Sequence, residues 1–79
     1  MILFSGDKEI TVGTKDILFR GTIEYSAWEE KMTYQGKFFK WDEDGVETEI
    51  DYSPDSYDLA FKVCPDWESE VREYQYENN

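Results

Sequence analysis

From Ile17 to Tyr25 the chain alternates between two kinds of position: Ile17, Phe19, Gly21, Ile23 and Tyr25 fall on one side, Leu18, Arg20, Thr22 and Glu24 on the other. A period of two places successive side chains on opposite faces of a strand, so this pattern predicts a half-buried strand. Gly21 within it marks a bend or a bulge. The same period runs through Val46–Tyr52, where Val46, Thr48, Ile50 and Tyr52 share one face and Glu47, Glu49 and Asp51 the other. Shorter apolar runs at Ile2–Phe4 and Glu9–Val12 predict two further strands. Ser5-Gly6-Asp7-Lys8 separates them as a turn and Gly13-Thr14-Lys15-Asp16 follows them as another. Met32–Trp41 carries aromatic residues on both faces. Either a bulge at Gly36 shifts the register there, or one aromatic face stays exposed. Asp42-Glu43-Asp44-Gly45 closes a hairpin, since Asp-Gly is a strong signal for a tight turn between strands.

Two segments are open to more than one assignment. Ser26-Ala27-Trp28-Glu29 fits the spacing of a capping box and opens one helical turn, or else it is a loop between strands. In 53–64, Tyr57, Leu59, Phe61 and Val63 alternate with Asp58, Ala60, Lys62 and Cys64 as a strand would. Ser53 as cap with Pro54 after it equally starts a helix, with Tyr57, Ala60, Phe61 and Cys64 at helical spacing. The β-branched and aromatic inward positions favour the strand. Beyond Pro65, Asp66 caps a helix from Trp67 to about Tyr76 in which Trp67, Val71 and Tyr74 share a face, with Glu68 and Glu70 at its positive end. Asn78 and Asn79 are expected to fray. The pattern as a whole predicts one domain over residues 1–79 of the α+β class, a small twisted antiparallel β-meander of about five strands with one C-terminal helix.

Composition adds three constraints. With 79 residues the chain lies near the lower limit for folding without staples, and its three Trp, six Tyr and five Phe compensate by burying large areas each. One cysteine excludes an intrachain disulfide and suits a reducing cytoplasm. No apolar run approaches a membrane span, and the first residues lack the charge and length of a signal peptide. The net charge of −11 is also unevenly placed. Residues 1–41 hold six acids and six bases, whereas residues 42–79 hold thirteen acids against Lys62 and Arg72. The whole excess therefore belongs to the second half, which points to an interaction surface. A basic footprint for nucleic acid is lacking, and an acidic surface repels anionic lipid.

Little in the chain supports catalysis. It has no histidine, the commonest general base and metal ligand. Cys64 has no cationic neighbour in sequence to lower its pKa. Asp42-x-Asp44-Gly45 partly matches a calcium loop, but Lys40 then falls at the first ligand position, Asp51 replaces the final Glu, and the flanks read as strands. No catalytic residue, metal or cofactor is expected. The carboxylate row remains. Side chains two apart on a strand face stand about 6–7 Å from each other, a charge density coarsely similar to phosphates spaced about 3.4 Å apart along one DNA strand. An ordinary solvated strand face carries such charges too, but the split between a neutral and an acidic half favours a patch.

In size, acidity, aromatic content and want of catalytic groups, the chain resembles small phage-encoded inhibitors that mimic DNA to block restriction enzymes, nucleases or CRISPR effectors. The resemblance rests on charge and size, and it implies a nucleic-acid-binding partner protein in the host cytoplasm. The candidate contact residues, read from the acid distribution, are Asp42, Asp44, Glu47, Glu49, Asp51, Asp55 and Asp58, with Glu68 and Glu70 on the helix and Trp41 beside the hairpin. The alternative is a small adaptor or assembly subunit that binds through exposed aromatics, namely Trp28, Tyr34, Phe39 and Trp41.

Overall fold

The computed structural model describes residues 1–77; Asn78 and Asn79, expected to fray, lie outside the described residues. Four strands form one antiparallel meander: β1 (Ile2–Val12), β2 (Lys15–Ser26), β3 (Lys31–Trp41) and β4 (Glu47–Ile50), in that spatial order. Two helices follow, α1 (Ser56–Val63) and α2 (Trp67–Glu77). The fold is thus α+β, with four strands in place of about five and two helices in place of one.

The first correction lies in β1. Ser5-Gly6-Asp7-Lys8 does not turn the chain; it pairs with Thr22, Gly21, Arg20 and Phe19 as the middle of one long strand. Ser5 and Asp7 serve the outer face, where Ser5 Oγ lies 3.2 Å from Thr22 Oγ1 and Asp7 accepts from Arg20. Gly6, Gly21 and Gly36 lie side by side across three strands. A Cβ on Gly21 would stand 2.6 Å from Gly36 Cα, and one on Gly36 would stand 2.7 Å from Gly21 Cα. The strands approach too closely there for any side chain, and Gly36 adopts φ +155. Gly21 and Gly36 therefore mark a close backbone approach inside a continuous sheet. No register shift occurs between β2 and β3 at Gly36. Of the two alternatives for β3, the aromatic residues do divide between faces: Phe38 is buried and Tyr34 half-buried on the core side, with Phe39 and Trp41 opposite.

The second correction is α1, where alternation had favoured a strand. Asp55, and not Ser53, is the cap: its carboxylate accepts from the backbone N–H of Tyr57 at 3.0 Å and of Asp58 at 3.4 Å. Pro54 precedes the cap, and its carbonyl accepts the Tyr34 hydroxyl at 2.9 Å. The helix buries Leu59, Ala60 and Val63 and turns Tyr57 and Phe61 outward. Tertiary demand decides this. The core face of the sheet (Ile10, Ile17, Phe19, Ile23, Tyr25, Met32 and Phe38) needs a lid, and another edge strand would leave it wet. α2 begins at Trp67 as expected and adds Trp67 and Val71 to the same core. Its Glu70 N–H bonds the Asp66 carbonyl at 3.2 Å.

β4 is shorter than Val46–Tyr52. Val46 belongs to the turn, with its N–H bonded to Asp42 Oδ1 at 2.8 Å and its side chain exposed. Tyr52 lies past the strand but keeps its expected face, meeting Phe38 edge-on at 5.0 Å between centroids.

Candidate partner-binding surface

The β3–β4 hairpin forms because Asp42 organises it. Its carboxylate accepts from Asp44 and Val46 N–H, its carbonyl accepts from Gly45 N–H at 3.0 Å, and Gly45 takes φ +78. β4 then runs along the sheet edge with Glu49 opposite Phe39 and Glu47 opposite Trp41, so both carboxylates and both rings share the outer face. The alternation within 47–50 is as the sequence implied. What the sequence did not convey is the company these acids keep.

Arg20 reaches across from β2. Its guanidinium lies 3.1 Å from Asp7 and 3.1 Å from Glu47, and sits 4.9 Å from the centroid of the Phe39 ring. The hydrogen bonds to Asp7 and then Glu47 raise the Arg20 pKa above its ordinary value, so it is a fixed cation. Lys37 pairs with Glu49 at 3.3 Å. Two members of the presumed carboxylate row are thereby partnered within the sheet. These are exposed pairs, each contributing about 0–1 kcal/mol, which leaves them free to exchange partners.

Among the described residues, no ion pair reaches Asp42, Glu43, Asp44, Asp51, Asp55 or Asp58. Asp42 and Asp55 cap the turn and α1, while Asp44, Asp51 and Asp58 make no side-chain bond among those described. All six are exposed. They follow the chain from the hairpin tip, along the β4 edge, into the first turn of α1, and the Tyr34–Pro54 hydrogen bond ties this segment to β3. An open recess of about 430 Å³ lies beside it, lined among others by Lys37, Glu49, Asp51 and Tyr52. Trp41 is 41% exposed at the start of the track. Glu68 and Glu70 are exposed on α2, Glu68 lying 4.0 Å from Arg72.

Comparison with protein-family models, curated proteins and solved structures gives no match. Function must therefore be argued from the surface.

Two features of that surface escaped the sequence reading. Tyr57 and Phe61, assigned inward, instead stand 38% and 50% exposed, packed on Trp67 at 5.8 Å and 5.4 Å between centroids. Trp28, assigned only as one of several aromatics, is 95% exposed. The legible signal was a Trp inside a segment with neither strand nor helix periodicity. Tyr34 and Phe39, put forward for the adaptor alternative, are half-buried, Tyr34 beneath Pro54 and Phe39 beneath Arg20. Cys64 is half-buried, and burial together with Glu70 raises its pKa, which suppresses the thiolate. No described helix is long and apolar enough to cross a membrane.

Proposed function

We propose that this protein works by stoichiometric binding, and that its acidic track from Asp42 to Asp58 docks on a basic, nucleic-acid-binding site of another protein. The observation that carries this reading is the segregation of charge on the folded surface. The sheet's outer face balances its own cations against Asp7, Glu47 and Glu49, while among the described residues the acids of the track beyond it form no ion pair. Carboxylates held apart on a strand edge and a helix cap offer a basic groove the charge it reserves for phosphates. Such docking inhibits by occupancy, without turnover, and the cytoplasm is the compartment where such grooves are met.

The partnering of Glu47 and Glu49 changes which residues test the idea. Reversing Glu47 would set a lysine against Arg20 and disturb the sheet, so the informative substitutions are Asp44→Lys, Asp51→Lys and Asp58→Lys together. Captured partners identified by mass should be nucleic-acid-binding proteins that are displaced by duplex DNA and released near 0.5 M salt, where screening extends to roughly 4 Å. The triple variant should lose them. A matched reversal at Glu9, Asp16 and Glu77 should keep them. Retention of the partner by the first variant and loss by the second would overturn the reading.

A further inference from the structure

β3 is longer than the strand beside it. It runs from Lys31 to Trp41, yet β4 pairs only with Phe38–Trp41, and residues 51–55 then leave the sheet without strand structure. Hydrogen-bonded and non-bonded positions alternate along an antiparallel pair. Asp42 N–H donates to the Val46 carbonyl across the hairpin at 3.1 Å, so the even-numbered residues of β3 turn their N–H and C=O groups toward the β4 side. Past the end of β4 those residues are Gly36, Tyr34 and Met32. Met32 is buried, whereas Gly36 is exposed and Tyr34 half-buried, with Thr33, Gln35 and Lys37 exposed as well. Residues 51–55 do not close the gap. They are tied to the Tyr34 hydroxyl, which donates to the Pro54 carbonyl from the core side, where the Tyr34 ring meets Phe19 and Phe38 edge-on. Among the described residues no backbone bond joins 51–55 to β3. Thr33–Lys37 is therefore an open sheet edge, the arrangement that accepts an added strand.

The surroundings of this edge select its occupant. The open recess of about 430 Å³ lies where β4 ends, lined by Gly36, Lys37 and Phe38 of β3 and by Glu49, Asp51 and Tyr52. Gly36 contributes no side chain to fill it. Lys37 and Glu49 neutralise one another at 3.3 Å, so Asp51, which makes no side-chain bond among those described, leaves the recess acidic. Glu24 stands opposite Thr33 and shares with Thr33, Tyr34 and Gln35 a smaller recess of about 90 Å³. Lys31 stands past the buried Met32, opposite Ser26. We propose that this edge takes an extended basic segment of the protein partner, paired antiparallel to β3 in line with β4, whose residue opposite Gly36 sends a cationic side chain into the recess toward Asp51. The apolar stem of a lysine or arginine suits the Phe38 and Tyr52 walls while its charged head meets the carboxylate. The inference rests on the basic partner proposed above and adds how it is held, by main-chain bonds along a strand. A second copy of this chain is a poor occupant, since it would bring another charge of −11 to an edge flanked by acids.

The test titrates the full chain, isotopically labelled, with a heptapeptide of alternating valine and arginine. Two further versions carry N-methyl groups, one at the arginines and one at the valines, so charge stays constant while one set of N–H donors is lost. A valine–threonine heptapeptide serves as the uncharged probe. At saturation, amide exchange at Gly36 and Tyr34 should slow roughly tenfold or more, while Gln35 N–H, which faces β2, keeps its rate. Methylation at the arginines should weaken binding roughly tenfold, the effect of about two lost hydrogen bonds, and methylation at the valines should not. Asp51→Asn should weaken the arginine peptide roughly threefold, within the range of an exposed ion pair, at an unchanged melting temperature. Absent protection at Gly36 and Tyr34, or equal affinity of the two methylated peptides, overturns the edge; resonance shifts at 42–58 in that case leave the acidic docking standing. Equal protection by the valine–threonine peptide overturns the basic occupant and speaks against a basic partner altogether. Protection that grows with protein concentration alone makes a second copy the occupant and overturns the assignment. Unchanged affinity in Asp51→Asn overturns the recess as the seat of the cation.

Discussion

Tyr34 joins the sheet to the crossing segment, the stretch between β4 and α1, through a single hydroxyl, donated to Pro54 at 2.9 Å. Desolvation raises its pKa above the ordinary tyrosine value, with Tyr52 and Asp55 adding to the effect. A raised folded-state pKa means that the unfolded chain gives up this proton first. Stability is then intact below about pH 10 and falls as pH climbs through the folded value. Tyr34→Phe should cost about 0.5–1.5 kcal/mol at neutral pH, the usual worth of one hydrogen bond. It should also show a smaller alkaline loss than the parent, as thermal melts between neutrality and high pH would reveal. The close approach of Gly21 and Gly36 is less forgiving. Gly21→Ala places a methyl group against the Gln35 carbonyl and Gly36 Cα of β3, and that backbone cannot yield cheaply. Denaturant unfolding should register a loss of about 3 kcal/mol or more, in the range reserved for named steric faults. A variant as stable as the parent would show that the strands do not approach there.

At the level of elements, α1 is held by its cap and its buried stripe, and each leaves a separate signature. Asp55→Ala should cost about 1 kcal/mol by removing the acceptor for two orphan N–H groups. Ser53→Ala should cost almost nothing, because Ser53 lies outside the helix. Leu59→Ala, at a wholly buried position, should cost about 2–5 kcal/mol. The reverse order for the two caps, seen in urea titrations, would place the helix start at Ser53. β4 also has a protective role. It is a four-residue edge strand whose acids discourage pairing with another chain. Glu47 and Glu49 thus serve the edge and the Arg20 and Lys37 pairs, and docking is left chiefly to their neighbours.

Over the whole molecule the two layers differ in charge. The sheet knits its outer face with mixed ion pairs, whereas the turn, the crossing segment and the helices carry the excess behind the net −11. Self-repulsion of that excess destabilises the compact state and is screened by salt. The surface pairs that salt also weakens are worth only about 0–1 kcal/mol each. The melting temperature should therefore rise between low salt and roughly 0.5 M sodium chloride, where the Debye length falls to a few ångströms. A fall over that interval would mean that the Arg20 and Lys37 pairs outweigh the repulsion.

Local pattern was enough for much of this fold. Strict alternation placed β2 and the two faces of 47–50, Asp-Gly placed the β3–β4 turn, and Asp66 with the Trp67–Val71–Tyr74 stripe placed α2. In each, the period and the cap depend on neighbours a few residues away, and such signals are written in the chain itself. The charge division between the halves was equally legible, since counting needs no coordinates. Tertiary structure decided the rest. Ser5–Lys8 has turn composition, yet pairing with Phe19–Thr22 of β2 makes it the middle of one strand, and that register is a long-range fact. Residues 56–63 satisfy both periods, and the exposed core face of the sheet selected the helix. The partnering of Glu47 and Glu49 followed from Arg20 and Lys37, which lie on other strands. The isolation of Trp28 followed from a loop whose bonds to Ser26 and Tyr57 hold it off the core. In all four cases the deciding contact joins elements that only the folded chain brings together, so no reading of local period or composition contained it.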